Sequence, residues 1–208
     1  MDAAAWDERY AATDLVWSAE PNQFVAAECA DLPPGRALDL AAGEGRNAIW
    51  LAQRGWTVTA SDFSQVGMDK GRRLADHSGV ADRIAWIPAD ATTADWPAEF
   101  DLCVIAYLQL VADERREAVR RGFASLQAGG RFVLVAHDST NLTEGTGGPP
   151  DPAVLMTADD VLADLAGEDL EVERAERVPR MVEQGDGEPA RTAYDCLVVL
   201  SRPEAPGV

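Results

Sequence analysis

A chain of 208 residues with 47% apolar content is long enough for one sizeable core, and a single domain is the default expectation. Its 36 acidic residues against 18 basic ones give a net charge of −18, which repels phosphate backbones and anionic lipid surfaces. Nucleic acid and membrane partners are therefore not expected, and a free oxyanion is disfavoured as a substrate. Cys29, Cys103 and Cys196 are odd in number, fall on apolar stretches and lack C-x-x-C spacing, which predicts buried thiols in a reducing compartment and no metal site. The opening MDAAAWDERY has no basic region followed by an apolar core, and no apolar run is long enough to cross a bilayer, so a cytoplasmic protein is expected.

The spacing predicts a first helix over residues 3–10, with Trp6 and Tyr10 one turn apart, and a second opened by Pro21, with Val25, Cys29 and Leu32 on one face. Trp17 lies in the segment between them. The stretch RALDLAAGEGRNAIWLAQR at residues 36–54 then reads as strand, tight turn and helix. Glycines at such a turn remove the Cβ clash, so backbone amides at the start of the helix can approach a ligand closely. Asp39, at the strand's carboxyl end, suits a ligand with a cationic amine, and open α/β sheets bind ligands at that end. Residues 56–60 form a second strand pattern closed by Asp62, which is placed to accept hydrogen bonds from the vicinal hydroxyls of a ribose. Acids at two consecutive strand ends point to an amino-acid-bearing nucleoside.

Ser64 can cap the next helix, to about His77; a third strand over 83–88 is followed by Asp90. Residues 100–106 (FDLCVIA) are the most continuously apolar run, the pattern of a strand buried on both faces, and belong beside the first strand. The helix over 113–127 carries Arg115, Arg116, Arg120 and Arg121, read as a solvated face. A fifth strand over 131–136 ends in His137 and Asp138. The stretch 139–152, rich in glycine and proline, has the composition of neither strand nor helix; a long loop at the functional edge is expected to help form a binding pocket. Thr157 with Asp160 predicts a capping box, and residues 170–178 and 194–201 an antiparallel hairpin.

LDLAAGEGR, TASDFS and the PAD at residues 88–90 resemble motifs I, II and III of class I S-adenosylmethionine-dependent methyltransferases, and the resemblance extends over nearly the whole chain. GEGRN, the Asp62–Phe63 pair, YLQL and the hairpin look most like the small-molecule branch that includes tellurite-resistance and thiopurine methyltransferases. The resemblance implies an α/β, Rossmann-like three-layer sandwich with a mostly parallel seven-stranded sheet ending in an antiparallel hairpin. Residues 1–35 would cap the cofactor cleft and residues 138–156 would form the substrate-side loop of one domain. It further implies that S-adenosyl-L-methionine is bound by Tyr10, Trp17, Asp39, Ala41, Gly43, Gly45, Asn47, Asp62, Phe63, Asp90, Ala91 and Ala106, leaving S-adenosyl-L-homocysteine as product. Ala41 stands where the family commonly has glycine.

Displacement at a sulfonium needs alignment and exclusion of water rather than a catalytic triad. If the acceptor must lose a proton, His137 is the candidate base; the alternative for it is to orient the loop. Gly43, Gly45 and Ala48 also satisfy G-x-G-x-x-A with Asp62 beyond, so a nicotinamide-dependent oxidoreductase is the second reading, and a non-catalytic cofactor-binding protein the third.

Overall fold

Apolar runs, and the glycines, prolines and capping side chains that punctuate them, set the boundaries of the elements. The computed structural model describes residues 3–13, 20–184 and 188–204. In chain order these are α1 (Ala3–Ala11), α2 (Gln23–Cys29), β1 (Arg36–Leu40), α3 (Arg46–Gln53), β2 (Thr57–Asp62), α4 (Gln65–His77), β3 (Ile84–Pro88) and β4 (Phe100–Ala106). There follow α5 (Ala112–Ala124), β5 (Leu126–His137), α6 (Asn141–Glu144), α7 (Ala158–Asp164), β6 (Glu171–Val182) and β7 (Arg191–Ser201). Caps account for several starts. The Asn22 side chain accepts from the Phe24 and Val25 amides, Ser64 from Gly67, and Thr157 with Asp160 forms the expected capping box.

The strands assemble in the order β3-β2-β1-β4-β5-β7-β6. The β1–β2, β1–β4, β2–β3 and β4–β5 pairs are parallel; β7 is antiparallel to both β5 and β6. Side chains alternate across a strand, so each face of the sheet gathers its own core. Leu102, Val104, Val133, Val135, Leu197 and Val199 pack with Val25, Ala48, Leu51 and Ala75 of α2, α3 and α4. Cys103, Ile105, Phe132, Leu134, Val198 and Leu200 pack with Val119, Phe123 and Val161 of α5 and α7. Helices thus cover both faces, and the three-layer expectation holds. Trp56, Phe123, Phe132 and Leu38 are among the largest fully buried side chains, each worth roughly 1.5–3 kcal/mol of burial.

Three expectations are corrected. The 139–152 stretch does contain a helical turn, α6. The Asp138 carboxylate seeds it by accepting from the Thr140 amide at 2.9 Å, and Asn141 staples it by donating to the Gly147 carbonyl at 2.7 Å and accepting from the Tyr194 amide at 2.9 Å. Of the α5 arginines, Arg115 departs from the solvated face and is buried against Asp164, whereas Arg120 stays exposed while donating to the Asp164 carbonyl, and the half-exposed Arg121 donates to the Thr92 carbonyl. The hairpin is longer than its apolar pattern, because Pro179 is tolerated within β6, an edge strand where one ladder amide is not needed. Cys29, Cys103 and Cys196 are buried and free, and burial pushes the Cys29 thiol up to about 12.

Candidate functional site

The chain leaves β1 through a left-handed turn, with Ala41, Gly43 and Gly45 at φ of 60°, 57° and 74°. That conformation costs about 1–2 kcal/mol for a residue with a Cβ, which the glycines avoid and Ala41 bears. Space adds a second requirement. A Cβ on Gly43 would meet the Tyr10 hydroxyl, and one on Gly45 would collide with the Trp86 indole. Asp62 fixes the turn to the neighbouring strand end, accepting from the Gly43 amide at 2.8 Å and, with its other oxygen, from the Ser64 amide at 2.8 Å. Ser64 in turn donates to Asp7 at 2.5 Å, and Lys70 donates to the Tyr10 carbonyl, which docks α1 beside the turn.

These elements enclose a cleft of about 330 Å³. Of the residues expected to hold a cofactor, Tyr10, Ala41, Gly43, Gly45, Asn47, Asp62, Phe63 and Ala106 line it. A second lobe shares Ala41, Asp62 and Phe63 and adds Asp90 and Ala91. The Asp90 carboxylate also caps its own turn, accepting from the Thr92 amide at 2.8 Å. Asn47 accepts from the Asn22 amide at 2.9 Å, joining the start of α2 to the cleft wall. Trp17 lies outside the described residues. Trp6, Glu44 and Arg46 also line the cleft and were not among the residues expected to hold a cofactor, while Pro149, Asp151 and Val154 reach it from the 138–156 stretch. Trp6, one turn before Tyr10 with ring centroids 5.5 Å apart, carried the same helical signal as its neighbour.

Asp39 does not reach the cleft wall. It is 1% exposed and accepts from the Ala48 amide at 3.0 Å, so it ties α3 to β1 instead of facing a ligand amine. Burial pushes its carboxyl up to about 7 from 3.8, against the opposing pull of the Ala48 amide and Arg46. Asp62 is raised by burial as well. Between about pH 4 and pH 7 the folded chain holds a proton on Asp39 that the unfolded chain has released, so stability falls as pH rises through that window and levels off above it. Asp39→Asn is expected to remove this slope. In thermal melts the variant should gain on the parent between about pH 5 and pH 8, and a constant difference would show that Asp39 ionises normally.

His137 is likewise absent from the wall. Its ring stacks on Tyr107 with centroids 4.6 Å apart, and Gly148 approaches it closely. Its Nδ1 is 3.3 Å from Asp195 Oδ1 but off the line of a hydrogen bond. Tyr107 does line the cleft, at a left-handed φ of 58°, and donates its hydroxyl to Asp195 at 2.8 Å. Asp195, fully buried on β7, also accepts from Arg180 Nε at 2.6 Å. Although burial alone would raise it, the nearby His137 ring, the hydrogen bonds from Arg180 and Tyr107 and the charge of Arg180 hold its carboxyl below the usual value.

With this geometry established, the family model described as the methyltransferase domain matches residues 37–130, the span from β1 through the cleft to β5. Residues 37–130, under half of the chain, thus resemble a methyltransferase domain. A demethylmenaquinone methyltransferase of Clavibacter sepedonicus is 32% identical to this chain over 122 residues, 58% of this chain and 47% of the relative. The chain thus spans about half the length of that curated relative. A structure solved in work on the conversion of a disulfide bond into a thioacetal group during echinomycin biosynthesis superposes with a TM-score of 0.73 at 20% identity, covering 99% of this chain and 94% of the other. TehB from Haemophilus influenzae gives 0.70 at 16% identity over 88% and 62%. At these identities the solved structures establish the fold alone, a seven-stranded sheet with an antiparallel end.

Proposed function

We propose that the chain transfers a methyl group from S-adenosylmethionine to a small-molecule acceptor by direct displacement. The observation that carries this reading is the cleft at the carboxyl ends of β1, β2 and β4, where the left-handed turn, Asp62 and Phe63 converge inside the span that resembles a methyltransferase domain. Each Asp62 oxygen accepts one amide and retains a second lone pair, which suits the two hydroxyls of a ribose. Phe63 and Ala91 offer apolar surface to a base, with Asp90 at the outer lobe. Ala106 and Tyr107 stand at the end of β4, and Pro149, Asp151 and Val154 bring the loop after β5 onto the same cleft as the acceptor side. The bound sulfonium supplies an already activated methyl group, so alignment and exclusion of water are what these residues contribute. His137, stacked on Tyr107 beside Asp195, orients that wall. The three free buried cysteines fit a cytoplasmic setting.

Two observations favour this over a nicotinamide-dependent oxidoreductase. The Tyr10 hydroxyl stands against Gly43 on the cleft side of the turn that a pyrophosphate would approach, and β7 enters the sheet antiparallel. Calorimetric titration is expected to show binding of S-adenosylmethionine and S-adenosylhomocysteine and none of NAD. Asp62→Ala should weaken S-adenosylhomocysteine by more than ~1 kcal/mol, the scale of a lost buried hydrogen bond, and unchanged affinity would remove the ribose assignment. Catalysis is tested by release of S-adenosylhomocysteine with candidate acceptors. Because one relative is named for a tRNA nucleoside, that screen includes an RNA arm, which the net charge of −18 predicts to be silent.

A further inference from the structure

The start of α3 holds a donor that the fold has already aimed. Asn47, only 4% exposed, lines the cleft, and its Oδ1 accepts from the Asn22 amide at 2.9 Å. A backbone N–H can only donate, so the oxygen of the carboxamide is the atom committed to Asn22, and Nδ2 turns the other way. Among the described residues Nδ2 has no acceptor, yet it is not sealed into the core; it opens onto the cleft. Asn22 is itself buried and fixed, because its side chain caps α2 through the Phe24 and Val25 amides. The carboxamide is thus held from behind by an element that needs no ligand to set it.

The helix end around Asn47 favours an anion. The first amides of a helix have no intrahelical acceptor and carry its positive pole. On the buried side of α3 that need is met by Asp39, which accepts from the Ala48 amide at 3.0 Å. On the cleft side the donor at hand is Asn47 Nδ2, and neither it nor a helix amide can accept a hydrogen bond, so an oxygen anion suits the corner and an ammonium does not. Position then decides which anion. Asp62, suited to a ribose, is hydrogen-bonded to Gly43, four residues before Asn47, while Phe63 and Ala91 border the second lobe on the β3 side. A nucleoside with its base in that lobe and its ribose at Asp62 directs its 5′ substituent across the turn toward Asn47.

We propose that Asn47 recognises the carboxylate of the cofactor's amino-acid end, and that this contact, rather than one to the amine, lets the chain tell the whole nucleoside from its truncated forms. This deepens the methyltransferase reading above and rests on it. It also replaces the role expected of Asp39, whose carboxylate serves the fold.

Calorimetry on the full chain tests this without any methyl acceptor. The probes are S-adenosylhomocysteine, its decarboxylated analogue, which keeps the amine, and 5′-methylthioadenosine, which keeps neither group. S-adenosylhomocysteine is expected to bind at least about tenfold more tightly than the other two, and those two to agree within about threefold. Asn47→Ala should erase the preference, lowering S-adenosylhomocysteine about tenfold and moving the truncated probes less than about threefold. Asn47→Asp keeps an oxygen for the Asn22 amide and nearly the same shape, but sets one carboxylate against another; S-adenosylhomocysteine should then lose more than in Asn47→Ala, with the decarboxylated analogue unaffected. Equal binding of S-adenosylhomocysteine and the decarboxylated analogue by the parent chain overturns the proposal. So does an equal loss for all three probes in both variants, which would make Asn47 a structural residue, or an unchanged S-adenosylhomocysteine affinity, which would leave Nδ2 to the methyl acceptor. If the parent chain binds none of the probes, the methyltransferase reading falls and this one with it; binding without a carboxylate preference removes the Asn47 assignment alone.

Discussion

Replacing Asp164 with alanine is expected to lower the unfolding free energy by about 3–5 kcal/mol, the usual consequence of stranding one member of a buried ion pair. The Asp164 carboxylate, on α7, accepts from Arg115 Nε at 2.6 Å and from its terminal nitrogen at 3.3 Å, and both side chains are out of water. Without Asp164 the Arg115 guanidinium has to be desolvated with no counter-charge. In a chain of this size the melting temperature should fall by on the order of 10 °C. The double variant Arg115→Met with Asp164→Leu removes both charges and should recover most of the loss, since an apolar pair of similar volume is often neutral or better. Equal losses in single and double variants would mean that packing, not the stranded charge, sets the effect. The cleft lies elsewhere, so binding of S-adenosylhomocysteine should survive in whatever fraction remains folded.

Gly45→Ala should be nearly as damaging and should strike the cleft as well. At φ 74° a Cβ adds about 1–2 kcal/mol of backbone strain, and its collision with the Trp86 ring adds an overpacking cost of about 1–3 kcal/mol. The two together predict a melting temperature lowered by on the order of 10 °C. Because Gly45 is also the N-cap of α3, any shift that accommodates the methyl moves Arg46 and Asn47 with it. Trimming Trp86 to Leu in the same chain should relieve the collision and leave the strain, restoring roughly half of the loss. No restoration would indicate that the turn, rather than the indole, resists the change.

What could be read from the chain, and what could not, follows from the range of the interactions. β4 was located to the residue, because a strand buried on both faces shows as the unbroken run FDLCVIA. The turn of Gly43 and Gly45 and the strand-end position of Asp62 were legible for the same local reason. Asp39 misled: a strand-end acid reads as ligand-facing, yet only the packing of α3 on β1 decides that it points to Ala48. Arg115 of α5 misled because its partner, Asp164, lies far along the chain. α6 was missed because a single turn held by the side chains of Asp138 and Asn141 has no apolar period. Arg46 stood in plain view within GEGRN, but its convergence with Tyr107 and Arg180 depends on three separate strands and helices meeting.

The outermost strand, β6, has a further effect on how the molecule behaves in company. Glu171, Glu173, Arg174, Glu176 and Arg177 succeed one another along it, and Glu171, Glu173 and Glu176 are exposed. A segment from a neighbouring molecule seeking to extend the sheet would have to strip the hydration from this row of alternating charges, and would meet Pro179 where an amide is missing. The edge therefore acts as a stop, and sheet growth beyond seven strands is discouraged by the same residues that make β6 look, at first sight, too polar to be a strand.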